Sequence, residues 1–120
     1  MSAGEMTAAR IDRLHELATL GNEELEALYG EELKTWLTEF VDAELPGSPA
    51  PPLNSSKELA QAIDQLARNK RAWSQRLGSL VIDLSDCSTP EAEREASEAL
   101  KEFIHQCPWK YLRDSASRKL

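Results

Sequence analysis

Long apolar runs, a signal-like N-terminus and catalytic motifs are all missing from this chain of 120 residues. The longest uninterrupted apolar stretch is residues 80–82, far short of the roughly 20 residues that a transmembrane helix needs. Residues 1–5 have neither a basic start nor an apolar run, so we predict no signal peptide. These absences predict a cytoplasmic protein without membrane contact.

Cysteine and histidine are scarce, with two of each. Cys87 and Cys107 flank a predicted helix that would separate them by roughly 25 Å, so we expect two free thiols, with Cys107 buried on the apolar helix face. Glu102 and His105 have the spacing of di-iron ligands, but at about 100° per residue they point away from that face. Neither a Gly-x-Ser-x-Gly motif nor a phosphate-binding glycine loop is present. We therefore expect no metal, no cofactor and no enzyme activity.

Composition and charge indicate one acidic globular domain spanning residues 1–120. Hydrophobic residues make up 41% and charged residues 29%, close to the globular average. The net charge is −7, and residues 1–45 hold 11 acidic side chains against 3 basic ones. Nonspecific nucleic-acid binding needs a positive face for phosphate, so this balance argues against it.

A 4-3-4-3 repeat in the second half of the chain predicts one long helix with a narrow seam against other helices. Seven of its eight positions are apolar, and the eight are Leu59, Ile63, Leu66, Lys70, Trp73, Leu77, Leu80 and Leu84. A charge at Lys70 is costly in a seam unless it is paired or reaches water. The sequence leaves open whether Lys70 pairs inside the protein, with an acid such as Glu26 or Glu44, or contacts another molecule.

The apolar periodicity predicts an all-α protein, a four-helix up-and-down bundle. The helices are expected near residues 7–20, 22–45, 56–84 and 90–107. Residues 46–55 form a proline-rich linker, and residues 1–6 and 115–120 are expected to fray. Gly30 could break the second helix, but the continuous periodicity favours one helix with a weak point. A short strand over residues 80–84 is the alternative at the end of the third helix.

Three local patterns predict where helices begin. Asn22 should cap the second helix, and Ser55 with Glu58 forms a capping-box pattern before the third. Thr89 followed by Pro90 is a strong start signal for the fourth helix.

The outer face of the second predicted helix is the first candidate functional surface. Its acidic residues fall within about 100° of one another, opposite the core, and are Glu24, Glu31, Glu39 and Asp42. Clustered charge of one sign steers association with a partner of the opposite sign. The sequence therefore predicts a non-enzymatic protein-binding module of the inhibitor, immunity or adaptor type, with a basic partner. Lys70 is included as a further candidate contact.

The basic segment 68–76 carries the alternative prediction. Arg68, Arg71 and Arg76 surround Trp73, and an aromatic ring among basic side chains is a common way to hold single-stranded nucleic acid. The alternative function is therefore a homodimeric regulator that contacts nucleic acid through this segment. Trp73, however, occupies a seam position, and Asp64 can pair with Arg68 at a spacing of four residues. A third alternative is a structural subunit whose long helix continues its seam along another chain.

Overall fold

The structure is a computed structural model that describes residues 3–120, and within this range every regular element is a helix. The helices are α1 (Ala3–Ala18), α2 (Asn22–Leu28), α3 (Glu31–Glu44), α4 (Ser56–Ser85), α5 (Pro90–Gln106) and α6 (Lys110–Lys119). The prediction of an all-helical protein is confirmed, but six helices are described where four were expected. None of these helices is long and apolar enough to cross a membrane.

The chain divides into two compact units, Met1–Asn69 and Lys70–Leu120. The boundary lies inside α4, which is helical from Ser56 to Ser85, so the alternative of a strand over residues 80–84 is wrong. Whether the units form one domain, and whether the helices run up and down as a bundle, stay predictions.

The first unit has an apolar core. Its most deeply buried side chains are Leu14, Leu17, Leu37, Phe40, Leu59 and Ile63. Side chains three and four residues apart supply these positions on each helix, as the periodicity predicts.

A buried carboxylate ties α1 to the end of α3. Glu44 is only 2% exposed, and its Oε1 accepts hydrogen bonds from Arg10 at 3.0 Å and from Thr7 at 3.3 Å. A buried charge needs such partners because desolvation otherwise disfavours it. These bonds hold the first half of α1 to the end of α3. Residues 3–6 are helical, and the expected fraying of residues 1–6 stays a prediction. Residues 1 and 2 lie outside the described range.

The predicted second helix is divided at Tyr29 and Gly30. Tyr29 leaves the helical region with ψ 129°, and Gly30 is extended, with φ 171°. The Tyr29 hydroxyl donates a hydrogen bond of 2.9 Å to the Leu53 carbonyl, which ties the junction to the proline-rich segment. The prediction of one helix over 22–45 is therefore wrong. Periodicity did not reveal the break because Leu25 and Leu33, both buried, keep a helical spacing across it.

The predicted starts of the later helices are largely correct. The Glu58 amide donates to the Ser55 hydroxyl at 3.2 Å, and the Ala92 amide donates to the Thr89 hydroxyl at 3.1 Å. The cap of α2 differs, since Gly21 occupies that position without a side-chain hydrogen bond and Asn22 is the first helical residue. The bonds from the Glu58 and Ala92 amides satisfy donors that a helix start otherwise leaves unpaired.

Helices α4 and α5 are joined by the short segment 86–89, and we call the pair the α4–α5 hairpin. The second unit has its core at the base of this hairpin, the end away from residues 86–89, where α6 packs on α5. The buried side chains there are Leu77, Leu100, Phe103, Cys107, Trp109, Leu112 and Ala116. Trp73 meets Phe103 edge-on, with 5.6 Å between ring centroids. Helix α6 continues to Lys119, and Ala116 within it is fully buried; fraying of residues 115–120 stays a prediction.

Candidate functional site

The outer face of α3 presents three of the predicted acidic contacts. Glu31, Glu39 and Asp42 are all exposed. At about 100° per residue they lie within roughly 80° of one another, opposite the side that buries Leu37 and Phe40. The helix therefore displays a compact negative surface whose side chains are directed by the packing behind them.

The fourth predicted acid, Glu24, is exposed but belongs to α2. Its placement on one stripe with the others assumed a continuous helix, and the break at residues 29 and 30 removes that relation. Residues 22–44 nevertheless hold eight acids and one base, Lys34, and seven of the acids are exposed. We call these seven the α2–α3 acidic surface: Glu23, Glu24, Glu26, Glu31, Glu32, Glu39 and Asp42.

Lys34 is the single basic side chain of this region, and two neighbours hold it. Its Nζ lies 3.3 Å from Glu31 Oε1 and 5.1 Å from the centroid of the Tyr29 ring. Hydrogen bonding to Tyr29, then to Glu31, raises the pKa of Lys34, which favours its charged ammonium form further. The Glu31 side chain is 90% exposed, so this pair leaves it accessible to a partner.

A groove in the first unit was not predicted from the sequence. It has a volume of about 490 Å³ and lies where the end of α1, α2 and the start of α4 meet. Its lining combines apolar Leu25 and Ile63 with charged Glu26, Lys57 and Asp64. Because both signs of charge and an apolar base meet there, the lining selects no single class of ligand.

The basic segment 68–76 is largely occupied by contacts within the protein. Arg68 pairs with Asp64 at 3.0 Å, as predicted from their spacing. The Arg76 guanidinium lies 5.4 Å from the centroid of the half-buried Trp73 ring, which also contacts Phe103. Arg71 is exposed. Nucleic-acid contact through this segment stays a prediction, and no contact of the structure favours it.

Lys70, the charged member of the seam, is half-buried and is the first residue of the second unit. Glu44, one partner considered for it, is held by Arg10 and Thr7. The proposed role of Lys70 in partner binding therefore stays a prediction.

The two thiols differ in environment. Both are free; Cys107 is 2% exposed, as predicted, whereas Cys87 is half-buried and donates to the Asp83 carbonyl at 3.0 Å. Burial is the main cause that raises the pKa of each thiol, so neither is an activated nucleophile. His105 is exposed, and in residues 3–120 no three His, Cys, Asp or Glu side chains converge as metal ligands.

The uncovered part of the α4–α5 hairpin is the second feature that sequence reasoning missed. From residue 78 to residue 99 no side chain is buried, although the seam and the alanine face of α5 continue through this region. The sequence did carry a signal. Leucines continue the seam of α4 through this region, and the matching face of α5 carries only alanines.

Comparison with known proteins supplies no family: no protein-family model, no curated protein and no solved structure matches the chain.

Proposed function

We propose that this protein is a non-enzymatic protein-binding module, of the inhibitor, immunity or adaptor type, that presents an acidic helical surface to a basic partner. The observation that carries the proposal is the exposure of seven acids against one base over residues 22–44. In solution such a surface attracts a basic partner and accelerates its association. Lys70 is proposed as an additional contact.

The α3 face supports this proposal because its exposed acids lie apart from the carboxylate that stabilises the fold. Glu39 and Asp42 are exposed on the side of the helix that faces away from the core. The carboxylate that the fold does use, Glu44, lies on the opposite side and is buried against Arg10. Structural and surface acids are thus separated on one helix, so the surface acids can be changed without disturbing the core.

Charge reversal of this face tests the proposal. The triple variant Glu31→Lys, Glu39→Lys, Asp42→Lys should lower capture of the basic partner from the native host by roughly tenfold or more, because attraction becomes repulsion. The circular-dichroism spectrum should stay unchanged. Quantitative mass spectrometry of proteins retained on the immobilised chain measures the loss.

A matched control changes the same net charge elsewhere. Glu5, Asp12 and Glu16 lie on one face of α1, are exposed, and can be reversed to lysine together. This variant should retain the partner. Equal loss in both triple variants would mean that only total charge matters, and unaltered capture by the α3 variant would refute the proposed surface.

A further inference from the structure

The outer half of the α4–α5 hairpin, residues 78–99, exposes apolar side chains that the base of the hairpin buries. Leu77 and Leu100 mark the boundary: they are 8% and 0% exposed, and nothing between them is buried. The large apolar residues there are Leu80, Val81, Ile82 and Leu84, and the small ones on α5 are Ala92, Ala96 and Ala99.

Most of these side chains continue the faces that form the core at the base. At about 100° per residue, Leu80 and Leu84 lie within roughly 60° of Leu77 on α4, on one strip. Ala92, Ala96 and Ala99 lie on the side of α5 that also carries Phe103, and all three are half-buried. Because a pair of helices can cover only part of each other, these leucines and alanines stay half-buried, and we call the apolar strip that they form the groove.

At the base, a third helix completes the packing. Leu112 and Ala116 of α6 are 5% and 0% exposed. Among the described residues no third helix does this for residues 78–99, since all their apolar side chains remain at least partly exposed. The spacing of Leu77, Leu80 and Leu84 by three and four residues is the pattern into which side chains of another helix insert.

The charge of residues 78–99 selects the kind of helix that the groove would bind. At about 100° per residue, Asp83, Glu93 and Glu95 lie within roughly 90° of the apolar faces and form a negative rim. Residues 78–99 carry six acids and one base, Arg94, and all seven are exposed. The acids are Asp83, Asp86, Glu91, Glu93, Glu95 and Glu98. A second copy of this chain would bring the same negative rim, and like charges oppose that association. A helix with an apolar stripe and basic flanks matches both the groove and its rim.

We infer that the outer half of the α4–α5 hairpin binds a basic amphipathic helix of a partner protein, which takes the place that α6 occupies at the base. The inference rests on the proposed function for the class of partner, a basic protein. It assigns the apolar part of recognition to a different surface from α3. Apolar contact with the groove holds the partner helix, and the acidic rim orients it.

A synthetic peptide tests this inference directly. The probe is a fluorescein-labelled 18-residue helix of leucine and lysine with leucine at heptad positions a and d, and its scrambled form is the peptide control. Fluorescence anisotropy should show that the wild-type chain binds the probe at least about tenfold more tightly than the scrambled peptide.

Variants of the hairpin locate the site. Leu84→Ser removes a groove wall, and Ala96→Gln fills the groove from the α5 side. Each should weaken probe binding by roughly tenfold, a change of about 1.4 kcal/mol. Ile82→Ser is the matched control, because Ile82 is 60% exposed and lies on the opposite side of α4 from Leu84. It should leave binding within about twofold of wild type.

Several outcomes would overturn the inference. These are failure of the wild-type chain to bind the probe, equal binding of the scrambled peptide, or unchanged binding by Leu84→Ser and Ala96→Gln. A wild-type dimer in sedimentation equilibrium that Leu84→Ser dissociates would identify a second copy as the occupant instead. The α3 charge-reversal variant separates the two proposals. If it loses the native partner while Leu84→Ser retains it, the proposed function stands and the hairpin site fails; the reverse pattern assigns recognition to the hairpin alone.

Discussion

The base and the outer half of the α4–α5 hairpin are built from the same two helices, yet they end in different environments. At the base, Trp73 meets Phe103, and α6 packs against α5, so Leu100 and Trp109 are fully buried. In the outer half, the same helix faces carry leucine and alanine without burying any of them. The difference teaches that apolar spacing along a helix predicts which side faces a neighbour, but the neighbour itself decides whether that side becomes core.

The largest effect that this comparison predicts is the loss of a leucine at the base. Leu100→Ala should lower the free energy of unfolding by about 2–5 kcal/mol, because it removes a fully buried side chain and leaves a cavity. Urea denaturation followed by circular dichroism measures the change. A loss below about 1 kcal/mol would mean that the base relaxes around the cavity and is not a well-packed core.

The two native thiols test the same comparison without a core mutation, since Cys107 lies at the base and Cys87 at the outer end. With a disulfide reagent at neutral pH, Cys87 should react roughly 100-fold faster than Cys107, which must wait for the base to open. Burial raises the pKa of the Cys87 thiol, so its rate should rise with pH beyond the point where an ordinary thiol reaches its plateau.

Assignment of the two phases requires one variant. Cys87→Ser should remove the fast phase of the reaction and leave the slow one. The absorbance of the released reagent measures both phases. Equal rates for the two thiols in the wild-type chain would contradict a closed base.

The parts of the fold that were predictable from sequence are those encoded within a few residues. The start of α5 follows from Thr89 and Pro90, and that of α4 from Ser55 and Glu58, because caps act on amides two or three residues away. The long helix follows from its repeat. All four predicted acidic contacts are exposed, but the placement of Glu24 on one stripe with the others assumed a continuous helix and stays a prediction.

What could not be predicted depends on contacts between distant residues. The break at Gly30 is accompanied by a hydrogen bond from Tyr29 to Leu53, which no local pattern signals. Helix α6 is mostly polar and is held by Leu112 and Ala116, so its sequence resembles a frayed tail. Leu80 and Leu84 match Leu77 in spacing, and only the tertiary structure shows that the seam is buried at Leu77 and partly exposed beyond it.

The smallest predicted effect is the most informative about the hairpin. Leu84→Ala should lower the free energy of unfolding by about 1 kcal/mol or less, because a half-buried leucine at an uncovered position loses little contact and leaves no closed cavity. Urea denaturation in parallel with Leu100→Ala measures the same chemical change in the two environments. Similar losses at the two positions would show that the outer half is covered in solution. A small loss would show that Leu84 contributes little to folding. Its apolar surface would then be available to a partner, and the residue could be changed without unfolding the protein.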